Sequence, residues 1–310
     1  MLRIALLCLG VVLLLFQQFI LPVDPGIQFI IFLFGIIFLG VPHGAADLLV
    51  ATQTAGNTGK NFSKFRFLIA YLTRLILFAF TLWLFPAAGT LLFISFAAYH
   101  FGETDLSHFK TNTLTGKLFV ITYGLLILSV ILLHHFEEVK PLLQIFMSGK
   151  GNAVIINLLD KYRYSIIAVA GILFFSTTFI YFLLNNNNNT KDKGDFLIHL
   201  AIILIILFNL PLLPGFTFYF VIWHSVLSLN NIITYVKRDN NYPAKSLSRQ
   251  ILLYSMIAIG GICLFGLTGF MFISTTGVIS YLFLGLAVLT APHMQIMHDM
   301  YNSLRQIKEV

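Results

Sequence analysis

Long apolar segments recur along the whole chain, and nothing constrains its fold more. A helix that crosses a bilayer needs about 20 mostly apolar residues. On that ruler about ten candidates follow one another. They lie near 2–21, 27–50, 65–85, 88–109, 116–136, 162–184, 195–213, 214–236, 249–273 and 276–300. Several are divided only by Pro/Gly breaks, as at Pro22–Gly26, Pro86 and Pro211–Gly215. Backbone polar groups in hydrocarbon must be satisfied inside the segment, which selects helices. The expected fold is therefore all-α, a polytopic membrane helix bundle with about ten transmembrane helices. Residues 1–310 are read as a single integral membrane domain. Only 10% of the chain is charged, where a soluble domain carries roughly 25%. The first segment holds Arg3 without a small-x-small cleavage site, so it reads as a retained anchor.

The charges predict an orientation. Lys60, Lys64, Lys110, Lys117, Lys191, Lys193, Lys237, Arg238 and Lys245 fall between segments on one side, and the intervening turns hold no Lys or Arg. Cytoplasmic loops are the basic ones. The chain should thus be a multi-pass protein of the cell (inner) membrane with both termini cytoplasmic. The net charge of +7 reads as contact with acidic lipid headgroups and not with nucleic acid. Segment 137–161 is mixed in sign, and its Leu142, Leu143, Ile145 and Phe146 suggest an amphipathic helix along the interface. Asn185–Asn189 reads as a flexible loop. Cys8 and Cys263 lack CxxC spacing and are expected as free thiols.

Against this apolar background four histidines stand out: His43, His100, His224 and His293. Ionisable groups in hydrocarbon are costly, so they face a bundle interior and carry function. All four lie on segments that run from outside to inside, at one depth very roughly 10–20 Å from the cytoplasmic ends. Neutral imidazole suits iron, copper and zinc, so the four are candidate metal ligands. Asp47 is four residues after His43, and Glu103 three after His100. Such spacings share a helix face. A metal-bound histidine usually donates its other N–H to a carboxylate, a role open to Asp47 and Glu103. Arg74, mid-segment, is a candidate partner for one of these acids. Gly44 and Gly102 permit close helix approach, and Pro42 and Pro292 loosen the helix beside two of the histidines. Of the others, His134 and His135 are expected at the headgroups, and His298 is turned away from the face of His293.

Four motifs carry a resemblance: Pro-His-Gly-x-x-Asp at Pro42–Asp47, Tyr-His-Phe-Gly at Tyr99–Gly102, Trp-His-Ser at Trp223–Ser225 and Pro-His at Pro292–His293. In order and over nearly the whole chain they resemble the Brp/Blh family of membrane-bound beta-carotene 15,15'-dioxygenases. The resemblance implies a histidine-ligated non-haem Fe(II) that splits the central 15,15' double bond of beta-carotene with dioxygen into two retinals. It also implies a rhodopsin apoprotein as retinal acceptor, with membrane lipid as the surroundings. Some family members carry a second histidine one turn after Trp-His-Ser. Here that place is Ser228, so a four-histidine site requires His293. Phe96, Tyr99, Phe101, Tyr219, Phe220 and Trp223 flank two of the histidines and are candidates for a polyene-binding tunnel.

Two other classes use the same residues. A membrane b-type cytochrome would pair histidines on haem, and a metal or proton transporter would line a path with them.

Overall fold

The computed structural model describes residues 1–19, 23–59, 61–146, 150–185, 190–238, 244–270 and 275–308. Residues 186–189 of the asparagine run, the tip of the loop after Lys237 and the turn before Thr275 lie outside them. The described residues are helical, with no strand among them. In chain order the helices are α1 (Leu2–Phe19), α2 (Pro25–Asn57), α3 (Lys64–Leu84), α4 (Pro86–Asp105), α5 (Leu114–His134) and α6 (Phe136–Phe146). They continue with α7 (Lys150–Leu184), α8 (Thr190–Asn209), α9 (Leu212–Lys237), α10 (Ala244–Phe270) and α11 (Thr275–Lys308).

Each expected apolar segment coincides with a helix. Six are long and apolar enough to cross a membrane: α1, α2, α3, α5, α7 from Asn152, and α9. The expected count of ten is not confirmed among the described residues. Helix α8 opens on Thr-Lys-Asp-Lys, and α4 closes on Glu103, Thr104 and Asp105, all buried. These polar ends shorten the apolar stretch of each helix. The amphipathic segment expected after 137 is α6, which buries Phe136 and Val139.

Local chemistry sets the helix ends. Asp24 accepts from the Gly26 N–H at 2.8 Å, with Pro25 opening α2. Ser63 caps α3 through Arg66 N at 3.4 Å, and Thr113 caps α5 through Gly116 N at 3.1 Å. Three helices widen into π-helical turns, at Ile36–Gly40, Val130–His134 and Thr217–Ser225. The first lies just before Pro42, whose ring cannot donate to the preceding turn and crowds its carbonyl. Such bulges occur frequently at functional sites.

The chain forms two compact units. Met1–Gly40, Phe101–Val139 and Leu159–Ser228 make the first. Its interior is aromatic: Phe119 stacks on Tyr181 with ring centroids 4.7 Å apart, and Phe109, Phe174 and Phe196 surround them. Glycines let its helices close up. A Cβ at Gly10 would fall 2.2 Å from the Phe218 ring, and one at Gly102 would fall 2.0 Å from the Val120 carbonyl oxygen. Val41–His100, Lys140–Leu158 and Leu229–Val310 make the second unit. There Ala46, Leu49 and Val50 pack with Ile232, Tyr235, Val236, Met297 and Met300. Buried residues make up 72% of the most apolar stretch of α5 and 67% of that of α9, against 6% for α3. Helix α9, which carries His224, is therefore an interior element.

His134 and His135 also reach the end of a neighbouring helix. Their Nε2 atoms lie 3.1 and 2.9 Å from the carbonyl oxygens of Phe208 and Leu207, at the end of α8. Leu212 N donates to Glu138 Oε1 at 3.2 Å, holding the start of α9. The last carbonyls and first N–H groups of two successive helices lack intrahelical partners, and these side chains supply them.

Candidate metal centre

His43 sits on α2 directly after its π-helical turn, His100 on α4, and His224 near the end of the π-helical turn of α9. All three are buried. Each offers one ring nitrogen, and these atoms lie within 4.8 Å of one another. Three nitrogens on one ion, each at about 2.1 Å, lie about 3.0–3.6 Å apart. Side-chain shifts of about an ångström would therefore close the three on a common ion.

His293 is not a member of that cluster, but its ring touches two of the three. Its centroid is 4.9 Å from that of His43 and 4.9 Å from that of His100, edge to face in both cases. His293 Nδ1 is 2.7 Å from Asp47 Oδ1, with both residues buried. Its Nε2 is buried without a hydrogen-bond partner. Since Asp47 accepts, Nδ1 carries the proton and Nε2 presents its lone pair. A buried acceptor without a partner is open to a cation or a water.

The i, i+4 relation of His43 and Asp47 does not pair them with each other. The helix is interrupted at Ala46, whose carbonyl accepts from both Leu49 and Val50. Asp47 meets His293 instead. Its other oxygen accepts from Tyr71 of α3 at 3.2 Å. Arg74, one turn further along α3, is exposed, so the expected Arg74 pairing is replaced by Tyr71 for this acid. Glu103 is buried on α4.

The aromatic candidates divide into distinct roles. Phe101 lies against His224, ring centroids 4.6 Å apart, and Phe220 stacks on it at 6.0 Å. Tyr219 and Trp223 turn their polar ends to a residue that motif reading missed, Asp105. Its Oδ2 accepts from Tyr123 at 2.6 Å, Trp223 Nε1 at 2.9 Å and Tyr219 at 3.0 Å. Arg3 donates to the Asp105 carbonyl at 2.6 Å and lies 5.9 Å over the Trp223 ring. The available signal was an acid inside an apolar segment, with two ring donors four residues apart on another. Phe96 packs on Phe78. Tyr99 packs on His298, which is 2.9 Å from Asn302. His298 is thus engaged by Tyr99 and Asn302. Both cysteines are free thiols.

Chemically, the donor set is imidazole, with carboxylate orienting one ring and no thiolate close by. Such a set suits a divalent transition metal and not calcium or magnesium. No curated protein and no solved structure is significantly similar to the chain. The family model described as beta-carotene 15,15'-dioxygenase matches residues 34–301, a stretch that contains all four histidines and both acids, Asp47 and Asp105. A long apolar-helical chain with buried imidazoles gathered at one point belongs, on that match, to the beta-carotene 15,15'-dioxygenase family.

Proposed function

We propose that this protein cleaves the central 15,15' double bond of beta-carotene with dioxygen, giving two retinals, at an Fe(II) held by His43, His100 and His224 with His293 as the fourth ligand. The observation that carries the reading is the convergence of three buried imidazoles to within 4.8 Å in a member of this family. The orphaned Nε2 of His293 supports the fourth place, and its Nδ1 bond to Asp47 supports the tautomer a ligand needs. Iron(II), when bound, supplies the one-electron chemistry that lets dioxygen react with a closed-shell polyene.

The remaining work falls to the chain. One C=C and one O2 become two C=O, so no proton is consumed or released. The site accordingly needs no general acid or nucleophile, and its buried acids serve as hydrogen-bond acceptors. Phe101 and Phe220 flank His224 with apolar surface that excludes water and fits a hydrocarbon substrate. Phe96, Tyr99, Tyr219 and Trp223 complete the proposed aromatic surroundings, the last two through their rings since their polar ends are engaged. Glu103 is proposed as a carboxylate that supports the ligands. A polyene partitions into lipid, so a site within membrane helices can be fed from the bilayer. We assign the chain to the cell membrane as one multi-pass integral domain with cytoplasmic termini, passing retinal to a rhodopsin apoprotein.

The cytochrome reading is less well supported. A porphyrin occupies the plane around its iron and leaves two axial places, whereas three imidazoles gather here. The deciding experiment supplies beta-carotene and air to the purified iron-loaded protein. Retinal in a two-to-one ratio to carotene consumed is expected. Well-folded, iron-loaded protein that makes no retinal overturns the assignment. A Soret band would point to the cytochrome, and metal flux across vesicles to a transporter.

A further inference from the structure

The histidine triad accounts for the ligands and leaves one buried group without a role. Asp105 lies at the end of α4 and is almost wholly buried. Three donors converge on its Oδ2, from Tyr123, Trp223 and Tyr219, while Oδ1 is buried with no hydrogen-bond partner. A buried carboxylate in apolar surroundings is expensive to keep unless it is well bonded. Here the bonds serve a particular segment. Tyr219 and Trp223 are four residues apart and both belong to the π-helical turn Thr217–Ser225. That turn also carries His224, the residue after Trp223.

A π-helical turn has i to i+5 bonding and is seldom stable without support. Its backbone alone sets the rotation of His224 loosely. Two bonds from one face of the turn to a single oxygen fix both its height and its rotation. The third bond ties that oxygen to Tyr123 of α5. Arg3 closes the arrangement by holding the Asp105 carbonyl and covering the Trp223 ring.

We infer that Asp105 is a positioning residue for the metal centre: its carboxylate grips Tyr219 and Trp223 and thereby aims the His224 imidazole. The inference rests on the reading of the triad as a metal site. It assigns Asp105 no contact with the ion or the substrate.

The test uses the full-length protein in detergent, titrated with cobalt(II) alone. Affinity is read by chelator competition, and the ligand field by cobalt d–d absorption. Asp105→Leu keeps the branched shape and removes the acceptor. It should weaken cobalt binding by about 10–100-fold, the usual effect of losing a group that orients a ligand, and should change the absorption envelope. Asp105→Asn keeps an oxygen for the donors and should restore most of the affinity and the native envelope. In a His224→Ala background, Asp105→Leu should weaken binding no further, because a residue acting through His224 has nothing left to position.

Native affinity and envelope in folded Asp105→Leu would overturn the inference. So would losses that multiply in the double variant, or an Asp105→Asn protein that binds no better than Asp105→Leu. Should Asp105→Leu fail to fold, Trp223→Phe removes one donor while keeping an aromatic ring. It should then weaken binding and alter the envelope, and native behaviour in that variant would again overturn the inference. Wild-type protein that takes up no cobalt, iron or zinc would remove the metal centre itself and this inference with it.

Discussion

Replacing Asp47 separates two things its carboxylate does. The acid is 3% exposed and His293 is 6% exposed. Asp47→Ala deprives the His293 Nδ1–H of its acceptor at 2.7 Å and the Tyr71 hydroxyl of its acceptor at 3.2 Å. A buried donor left unsatisfied costs about 1–3 kcal/mol. The half-buried Tyr71 hydroxyl can turn elsewhere, so the expected loss of stability is set by His293 alone, about 1–3 kcal/mol. Asp47→Asn retains an oxygen for the same N–H, and the expected stability loss is about 1 kcal/mol or less. Iron binding should respond differently. A neutral amide raises the basicity of the imidazole less than a carboxylate does. Loss of such a partner lowers metal affinity about 10–100-fold, which is about 1.4–2.7 kcal/mol. Asp47→Asn should therefore nearly keep its thermal unfolding temperature yet release iron(II) to a weaker chelator under anaerobic competition. An Asn variant that holds iron as tightly as the native protein, together with a His293→Ala variant that does the same, would show that the Asp47–His293 pair is packing and that His293 is not a ligand.

Three further outcomes are expected. Substituting Ala for His43, His100 or His224 should abolish both stoichiometric iron and retinal formation, measured by metal analysis and product chromatography. Gly102→Ala should lower stability by about 1–3 kcal/mol or more in a thermal melt, because the new methyl would meet the Val120 carbonyl oxygen at 2.0 Å and that oxygen is backbone. Glu138→Ala should cost about 1 kcal/mol by the same measurement, since Leu212 N loses its 3.2 Å acceptor; unchanged melting would mean that the turn into α9 is held without it.

Much of the site was legible because lipid-compatible sequence makes polar residues conspicuous. Among long apolar runs His43, His100, His224 and His293 are costly, and the cost itself marks them. Asp47 was found by its spacing, although for the wrong partner: the spacing assumes an unbroken helix, and the break at Ala46 voids that assumption. Tyr219 and Trp223 read as substrate contacts because aromatic residues beside a candidate ligand look alike in sequence. Which way an indole N–H or a phenol points depends on what the neighbouring helix presents, and here that is Asp105. The bonds of His134 and His135 were hidden for a related reason: no local pattern shows that the carbonyls of Phe208 and Leu207 arrive beside them.

The amino-acid sequence alone determined that the chain is helical and belongs in a membrane. Those properties follow from local composition, since every apolar stretch must satisfy its own backbone groups wherever its neighbours lie. It also determined which residues are out of place in such surroundings. Convergence belonged to the tertiary structure. One π-helical turn precedes His43 and another carries His224, and neither is written in the apolar pattern. Asp47 reaches His293, 246 residues away in the chain. A helix rotation of about 20° moves a side-chain tip about 6 Å from the axis by about 2 Å, and a rotation of that size is set by packing and long-range hydrogen bonds, which no local pattern encodes.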